Sequence, residues 1–572
     1  MPESFESRIA LSGTGLLAEL NQSGRVDAGE VQLARRLAGV VAEDDQRATA
    51  VVALVLRSLR EGSVAMSPHE VDPAWVEALL GSRLVVDGAV VLDHDLLYLR
   101  RYRDLEIEVA RDLERLRSAP VEVDESRLGA ALDRVAGDRF SEEQRQAAVH
   151  AVRRPVTVLT GGPGTGKTTT VARILALVAD QVGEQRTGPT KRPVRIALAA
   201  PTGKAAARLA EAIEEEVAAF APLDRERIGT PEPTTLHRLL GWRAESRTRF
   251  RRHRANPLAF DVIVVDECSM VDLEMMAALV AATRSGTRLV LSGDPQQLAS
   301  VGAGAVLSDI VDGWRDEPDS PVVSLKVNHR SQADIRELAE AVRIGDTEAV
   351  LTRLATPSGE IAVARDVGGL RDVMVPRARR VVELARAGDL DATIAALGEH
   401  RLLCAHRHGQ FGVSHWNRQV EAWLAADGVE VSGWYAGRPL LVTRNDPGLD
   451  VYNGEVGVVL VEQGRPRAWI QGGGRPRSFA ATRLESVETM HALTIHKSQG
   501  SQADEVTVLL PDQDSRLLTR ELFYTALTRA RRFVRVVGSQ EAVRRAVETR
   551  ASRATGLSRR LGSGGAEGRS IS

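Results

Sequence analysis

The stretch VTVLTGGPGTGKTTTVARILALVAD spans residues 156–180 and decides the fold. A short β-type run (Val156 to Leu159) enters a glycine-rich G-x4-G-K-T turn, which opens onto a pattern of helical period. Glycines in such a turn let backbone N–H groups curl around a phosphate at a helix N-terminus. The cradle comprises Gly161, Gly162, Pro163, Gly164, Thr165, Gly166, Lys167, Thr168 and Thr169. Lys167 is expected to reach the β and γ phosphates of ATP, and the Thr168 hydroxyl to sit on Mg²⁺.

Two more strand ends belong with this turn. The apolar run Val262 to Val265 ends in Asp266-Glu267, where Asp266 would hold Mg²⁺ and Glu267 would polarise an attacking water. The run ending at Leu291 enters Ser292-Gly293-Asp294-Pro295-Gln296-Gln297, which brings the Gln297 amide to the same sheet edge to contact the γ phosphate. Taken singly, an Asp-Glu pair is a solvated surface feature and the second segment only a turn; the preceding strands give them meaning. Short β runs alternate with helical segments from Phe140 onward, the pattern of a parallel α/β sheet. Further runs at Val322 to Leu325, Arg401 to Cys404, Val506 to Leu510 and Phe533 to Val537 suggest a second one. Residues 1–118 read as amphipathic helices.

Composition narrows the class. The chain has 572 residues, 43% hydrophobic and 27% charged, with formal net charge -2, so nucleic-acid binding would need local patches rather than a global positive field. It shows no apolar run of membrane-spanning length and no secretory leader pattern, and its two cysteines cannot build a metal cage or disulfide framework; a cytoplasmic location is expected. Among 75 basic residues only five are lysines. Where lysine persists in an arginine background, its compact ammonium is the group to suspect of a specific task.

The ordered segments GGPGTGKT, APTGKAAARL (200–209), VVDECSM (264–270), LSGDPQQLASVG (291–302), VNHRS (327–331), ALTIHKSQGS (492–501) and FYTALTRA (523–530) resemble the motifs of superfamily 1 helicases, and within them the RecD-type branch, superfamily 1B. LHRLLGW at 236–242 and GRPLLVTRNDPGLDVYNGEVGVV at 437–459 extend the resemblance toward the RecD family of RecBCD (exonuclease V) subunits, as, more weakly, do segments near the N-terminus. The resemblance implies an α/β fold with two RecA-like motor domains, 119–320 and 321–432 plus 486–548. It adds a basic hairpin at 241–259 and an N-terminal helical partner-docking domain at 1–118; the glycine-broken β segments at 433–485 read as a small inserted β-barrel, and the Gly/Ser/Arg-rich composition of 549–572, which the resemblance leaves out, as a disordered tail. The resemblance also implies an ATP-dependent 5′-3′ DNA helicase, nucleoid-associated, working on single-stranded DNA and double-strand ends with RecB-like and RecC-like subunits. Arg330 and Arg529 would be arginine fingers, Gln144 the adenine reader, and Gly500 part of the nucleotide site.

By the same resemblance Thr202, Lys204, Thr234, His237, Thr494, His496 and Lys497 form the DNA track. Three of the five lysines (167, 204 and 497) thus fall in motifs that touch phosphates, which answers the scarcity argument. The segment WRAESRTRFRRHR (242–254) carries six arginines around a polar turn, with Arg249 and Arg251 expected on DNA, and reads as a β-hairpin at the place of the strand-separation pin. Only 21 aromatic residues exist in the chain, so base stacking is not the expected stepping grip. Two departures stand out: Cys268 replaces the usual alanine of motif II, and Gln502 stands where an acidic residue is usual. Competing readings are a stand-alone RecD-type helicase, a non-enzymatic scaffold and a nuclease. No lysine has an acidic residue two positions before it, so the acid-x-Lys signature of the last is missing.

Overall fold

The computed structural model describes residues 9–10, 13–137, 140–185, 194–243, 246–327, 332–356, 358–446, 448–472, 475–511 and 514–562, with the backbone alone for 183–185, 243 and 246–249. Near the N-terminus, helices Ala28–Val41 and Gln46–Arg60 bury Val31, Val51, Val52 and Val55 in a core of their own. The region is not purely helical. VVLDHDLLYL folds as an antiparallel pair, β1 (Val90–Asp93) and β2 (Leu96–Leu99), because His94 and Asp95 both adopt positive φ (50° and 60°), as a two-residue hairpin turn requires.

The expected boundary at residue 118 is too late. Helix Arg100–Arg117 sends Val109, Leu113 and Leu116 into the same core as Val156, Val158, Ile263 and Leu289 of the first parallel sheet, so it is part of that domain's wall. Leu113, fully buried, should cost about 2–5 kcal/mol when cut to alanine. Denaturant unfolding of Leu113→Ala followed by circular dichroism measures this; an unchanged midpoint would return the helix to the N-terminal module.

The first α/β domain contains β3 (Val156–Gly161), β4 (Ile196–Ala200), β5 (Pro233–Thr235), the short pair β6 (Trp242–Arg243) and β7 (Ser246–Phe250), then β8 (Val262–Val265), β9 (Arg288–Gly293) and β10 (Val322–Leu325). Its sheet is parallel in the order β10-β3-β9-β8-β4-β5. β10, expected in the second domain, instead pairs with β3, Val322 opposite Val158, because the P-loop strand would otherwise present an unpaired edge. The strand order puts the ends of β3, β8 and β9 side by side, where ligands bind in open α/β sheets. β6 and β7 form the expected antiparallel hairpin, outside the sheet.

The second domain has a parallel sheet of β11 (Ile361–Ala364), β12 (His400–Cys404), β18 (Ala492–Thr494), β19 (Ala503–Leu509) and β20 (Ala530–Val537), ordered β11-β20-β19-β12-β18. Between β12 and β18 the chain inserts a five-stranded antiparallel sheet: β13 (Pro439–Val442), β14 (Val456–Glu462), β15 (Arg465–Gln471), β16 (Arg477–Ala480) and β17 (Val487–Thr489). The insert ends at Thr489 rather than 485, because β17 pairs with β13.

The expectation of a disordered tail from 549 fails for residues 549–562. Leu557 and Leu561 of the short helix Leu557–Leu561 are buried against the first α/β domain, and the Ala554 carbonyl accepts from Val64 N (2.9 Å) and Ala65 N (3.1 Å). Periodicity over five residues is too short to register, and the Gly, Ser and Arg content hid two buried leucines. Residues 563–572 lie outside the described residues.

Candidate functional site

The nucleotide cleft is assembled at the ends of β3, β8 and β9. Helix Lys167–Gln185 starts at the last two residues of the motif, with Gly164 and Gly166 at φ +85° and +81° before it. A Cβ at Gly166 would overlap Gln144 Nε2, so both the backbone angle and the close approach demand glycine there. Thr165 Oγ1 donates to Gly162 O (2.9 Å), and Lys167 Nζ donates to Gly161 O (2.6 Å) and Gly162 O (3.1 Å), lying along the loop that the phosphates would follow. Thr168 and Thr169 line the cleft, but the Thr169 hydroxyl donates to Glu216 (2.7 Å). Gln144 is buried beneath the loop. Its carbonyl accepts from Ser141 N (3.0 Å) as part of a capping box, and its amide faces Thr165 O at 3.5 Å.

Asp266 and Glu267 emerge from β8 into the cleft. Asp266 is oriented by Ser292 Oγ, which donates to it at 2.8 Å. Glu267 adopts φ 52°, a left-handed conformation uncommon for a non-glycine residue and of the kind that clusters at active sites. Burial and the neighbouring Asp266 push its carboxyl above the usual carboxylate range, against the opposing pull of Arg529 and Lys167. Cys268 is fully buried, its thiol donating to Val265 O (3.2 Å), so sulfur in place of a methyl is accommodated.

From the other domain comes Arg529, buried at the start of β20. It donates to Gln297 Oε1 (3.1 Å), Thr525 O (3.0 Å) and Ser501 O (3.4 Å). Gly500 and Gln502 line the same cleft, and Gly500 O accepts from Arg208 (2.7 Å). Sequence reasoning missed the part played by Tyr524. Tyr524 donates its hydroxyl across the domains to Asp294 (3.0 Å), which also accepts from Gln297 (3.2 Å). A tyrosine inside a helical motif carries no local signal of reaching another domain. Arg330 lies outside the described residues. The assembled groups fit a metal-assisted attack of water on a phosphoryl group: oxygen donors Thr168 and Asp266 suit Mg²⁺, and cations Lys167 and Arg529 flank the carboxylates.

A second cavity, of about 390 Å³, opens between the two α/β domains and the insert. It brings together Thr202, Lys204, His237, His496 and Lys497 of the expected track, and adds Asn453 and Gly454 from the insert. Lys204 is driven down to about 7 by burial and by Arg208 and Arg401. His237, His496 and Lys497 are likewise lowered, burial being the largest cause in each. A phosphodiester beside such groups would favour their charged forms against the cost of burial. Two expected members do not line it. Thr494 caps the helix Ile495–Ser498 by accepting from Lys497 N (3.3 Å), and Thr234 sits on edge strand β5 with its hydroxyl toward Thr235 O. Val301, 80% exposed, is an apolar side chain at this cavity.

On the hairpin, Arg251 is exposed and the side chain of Arg249 lies outside the described residues. Arg254 is not free for a ligand: it holds Asp112 of helix Arg100–Arg117 through two 2.7 Å contacts. Arg252 is similarly turned inward, to Asn256 (3.2 Å).

Two parallel sheets facing one phosphate cleft, with an arginine reaching across it, define a two-domain P-loop motor. Residues 144–303 match the AAA domain family, and residues 489–537 the UvrD-like helicase C-terminal domain. The chain is 50% identical to the RecBCD enzyme subunit RecD of Mycobacterium tuberculosis (strain ATCC 25618 / H37Rv), over 97% of this chain and 98% of that one. It belongs to the RecD family. The RecD subunit of Mycolicibacterium smegmatis is 51% identical, covering 94% and 97%. The ATP-dependent RecD2 DNA helicase of Deinococcus radiodurans is 30% identical over 70% of this chain and 49% of its own length. Among solved structures, Bacteroides Pif1 bound to ssDNA aligns with a TM-score of 0.38 at 17% identity, covering 69% of this chain and 91% of that one.

Proposed function

We propose that this chain is an ATP-dependent DNA helicase that moves 5′ to 3′ on single-stranded DNA, the motor subunit of a RecBCD-like complex that works on double-strand ends with RecB-like and RecC-like partners. One observation carries the motor reading: a single loop serves both sites. Gln297 touches Arg529 in the nucleotide cleft, Leu298 N donates to Thr525 Oγ1 (2.8 Å), Gln499 donates to Leu298 O (2.6 Å), and Ser300, Val301 and Gly302 line the second cavity. A change at Gln297 in the cleft therefore has only Leu298 and Ala299 between it and the cavity's Ser300. That is the arrangement a translocase needs, since phosphate contacts in the cavity must be made and released once per hydrolysis cycle.

Thr168 and Asp266 would hold Mg²⁺, which when bound neutralises charge developing on the phosphoryl oxygens. Glu267 takes the proton of the attacking water, while Lys167 and Arg529 stabilise the phosphates. Gln144 reads the adenine, and Arg330 would be the second arginine finger. The antiparallel insert closes over the DNA side as a small barrel, and the N-terminal module docks the partners. The membership in a family whose relatives are named RecBCD subunits supports the partner assignment.

The test is unwinding of a 5′-tailed against a 3′-tailed duplex, with single-strand-stimulated ATPase measured alongside. Replacing Arg243, Arg247, Arg249 and Arg251 by serine, while sparing Arg252 and Arg254 for their inward contacts, should reduce unwinding about tenfold or more and leave the ATPase within about twofold, because a pin acts at the fork through phosphate contacts. Equal loss of both activities would make the hairpin part of the general track.

A further inference from the structure

The chain's last described stretch crosses the molecule. It leaves the second motor domain after helix Gln540–Glu548, where Arg520 N donates to Thr549 O (2.8 Å) and Ala551 N to Glu521 (2.8 Å). It ends on the first domain, where the helix Leu557–Leu561 packs beside helices Arg100–Arg117 and Val306–Trp314. Midway lies Arg553. Its guanidinium donates to three carbonyls of the loop shared by the two sites: Ser300 O (2.6 Å), Gly302 O (3.0 Å) and Gly304 O (2.9 Å). On that side the turn is also tied by Leu273 N, which donates to Ala303 O (3.1 Å), and by Ser300 Oγ, which reaches Gly304 O (3.3 Å), but Arg553 alone spans its three carbonyls from the strap. Ser300 Oγ donates to Gly302 O (3.1 Å), and a Cβ at Gly302 would overlap the Asp272 carboxylate, so the turn depends on glycine and on its carbonyls being satisfied. Buried carbonyls left without donors are costly, and a planar fork can serve several at once.

We propose that Arg553 is a positioning residue of the motor: the C-terminal strap uses its guanidinium to hold residues 300–304 in the conformation that receives DNA, so the grip on DNA depends on a side chain that touches neither ligand. The inference rests on the proposed DNA reading of the cavity. At the front of the loop, Leu298 is held by Thr525 and Gln499 of the second domain, and Gln297 by Arg529. At the back, Gly304 N donates to Gly62 O (2.9 Å) and Leu273 N to Ala303 O (3.1 Å), while Arg553 is the side chain that joins the carbonyls of Ser300, Gly302 and Gly304. Losing the front bonds during the cycle leaves the back, with Arg553 among its anchors, as the fixed side about which the loop moves. The strap's own attachment is separate from this contact. Thr555 Oγ1 bonds Glu106 (2.8 Å) and Asp309 (3.1 Å), and Gly556 N donates to Glu106 (2.9 Å), which provides a control lesion away from the loop.

In the full-length chain, Arg553→Ala should raise the concentration of single-stranded DNA that half-saturates ATPase stimulation by about tenfold, the scale of coupling carried by such intermediary residues, with KM for ATP at saturating DNA within about twofold. Arg553→Lys, which keeps the stem and charge but not the fork, should fall between the two and serves if the alanine variant does not fold. Thr555→Val should lower the melting temperature yet leave the half-saturating concentration within about twofold. A Thr555→Val chain as impaired in DNA response as Arg553→Ala would reduce Arg553 to a stabilising stitch and overturn the proposal, as would unchanged half-saturation in both Arg553 variants. A wild-type ATPase indifferent to single-stranded DNA would overturn the DNA reading itself, and the inference with it.

Discussion

Lys167→Ala is expected to abolish DNA-stimulated ATP hydrolysis, with a loss of at least about 10²-fold, the scale on which removal of one preorganised electrostatic stabiliser acts. The ammonium lies within reach of Gly161 O and Gly162 O at the mouth of the glycine-rich loop. Among the described residues, the other cations lining the cleft are engaged elsewhere: Arg529 donates to Gln297, Thr525 and Ser501, and Arg208 to Gly500 O. The fold should survive, since Lys167 opens a long helix whose buried residues, Ile174, Leu175 and Leu177 among them, anchor it independently. Steady-state ATPase with saturating single-stranded DNA, beside a thermal melt, separates the two effects. Residual turnover above about a tenth of wild type would remove the phosphate site from this loop.

The parts that were legible in the sequence are those whose chemistry is local. The P-loop, the Asp266-Glu267 strand end and the 242–250 hairpin each carry their signal within a dozen residues, because glycine, β-branched runs and charge set their conformations directly. What escaped depended on partners far away in the chain. Val322 to Leu325 reads as any short strand, and only the free edge of β3 determines which sheet takes it. Helix Arg100–Arg117 has the same amphipathic pattern as its N-terminal neighbours, yet its apolar face meets β3 and β8. The last helix hides in a Gly- and Arg-rich tail because Leu557 and Leu561 are buried by surfaces the tail does not encode. Within the site, the track residues Thr202, Lys204, His237, His496 and Lys497 converge, whereas Thr494 is consumed by a helix cap, which its Thr-x-x-Lys spacing already permitted. The link between Tyr524 and Asp294 is again a long-range bond.

Glu267→Gln should separate binding from hydrolysis. The amide keeps the size and the hydrogen-bonding reach of the carboxylate but cannot accept a proton, so hydrolysis should fall by about 10²–10⁴, the range for loss of a general base. Binding of Mg·ATP should hold, because the residues assigned to it, Thr168 and Asp266, are untouched and Asp266 keeps its bond from Ser292. The substitution also removes a carboxyl group beside the phosphate site, where a negative charge would oppose the bound nucleotide. Nucleotide affinity should therefore stay level or rise slightly while turnover collapses, a pattern that distinguishes this residue from Asp266, whose replacement by asparagine should weaken both. A fluorescent-nucleotide titration paired with single-turnover hydrolysis reads the two quantities apart. If Glu267→Gln lost nucleotide binding while the bound fraction hydrolysed at the wild-type rate, the left-handed backbone at position 267 would be positioning a ligand contact, and the proton acceptor would have to be sought in Asp294 or Gln297's neighbourhood instead.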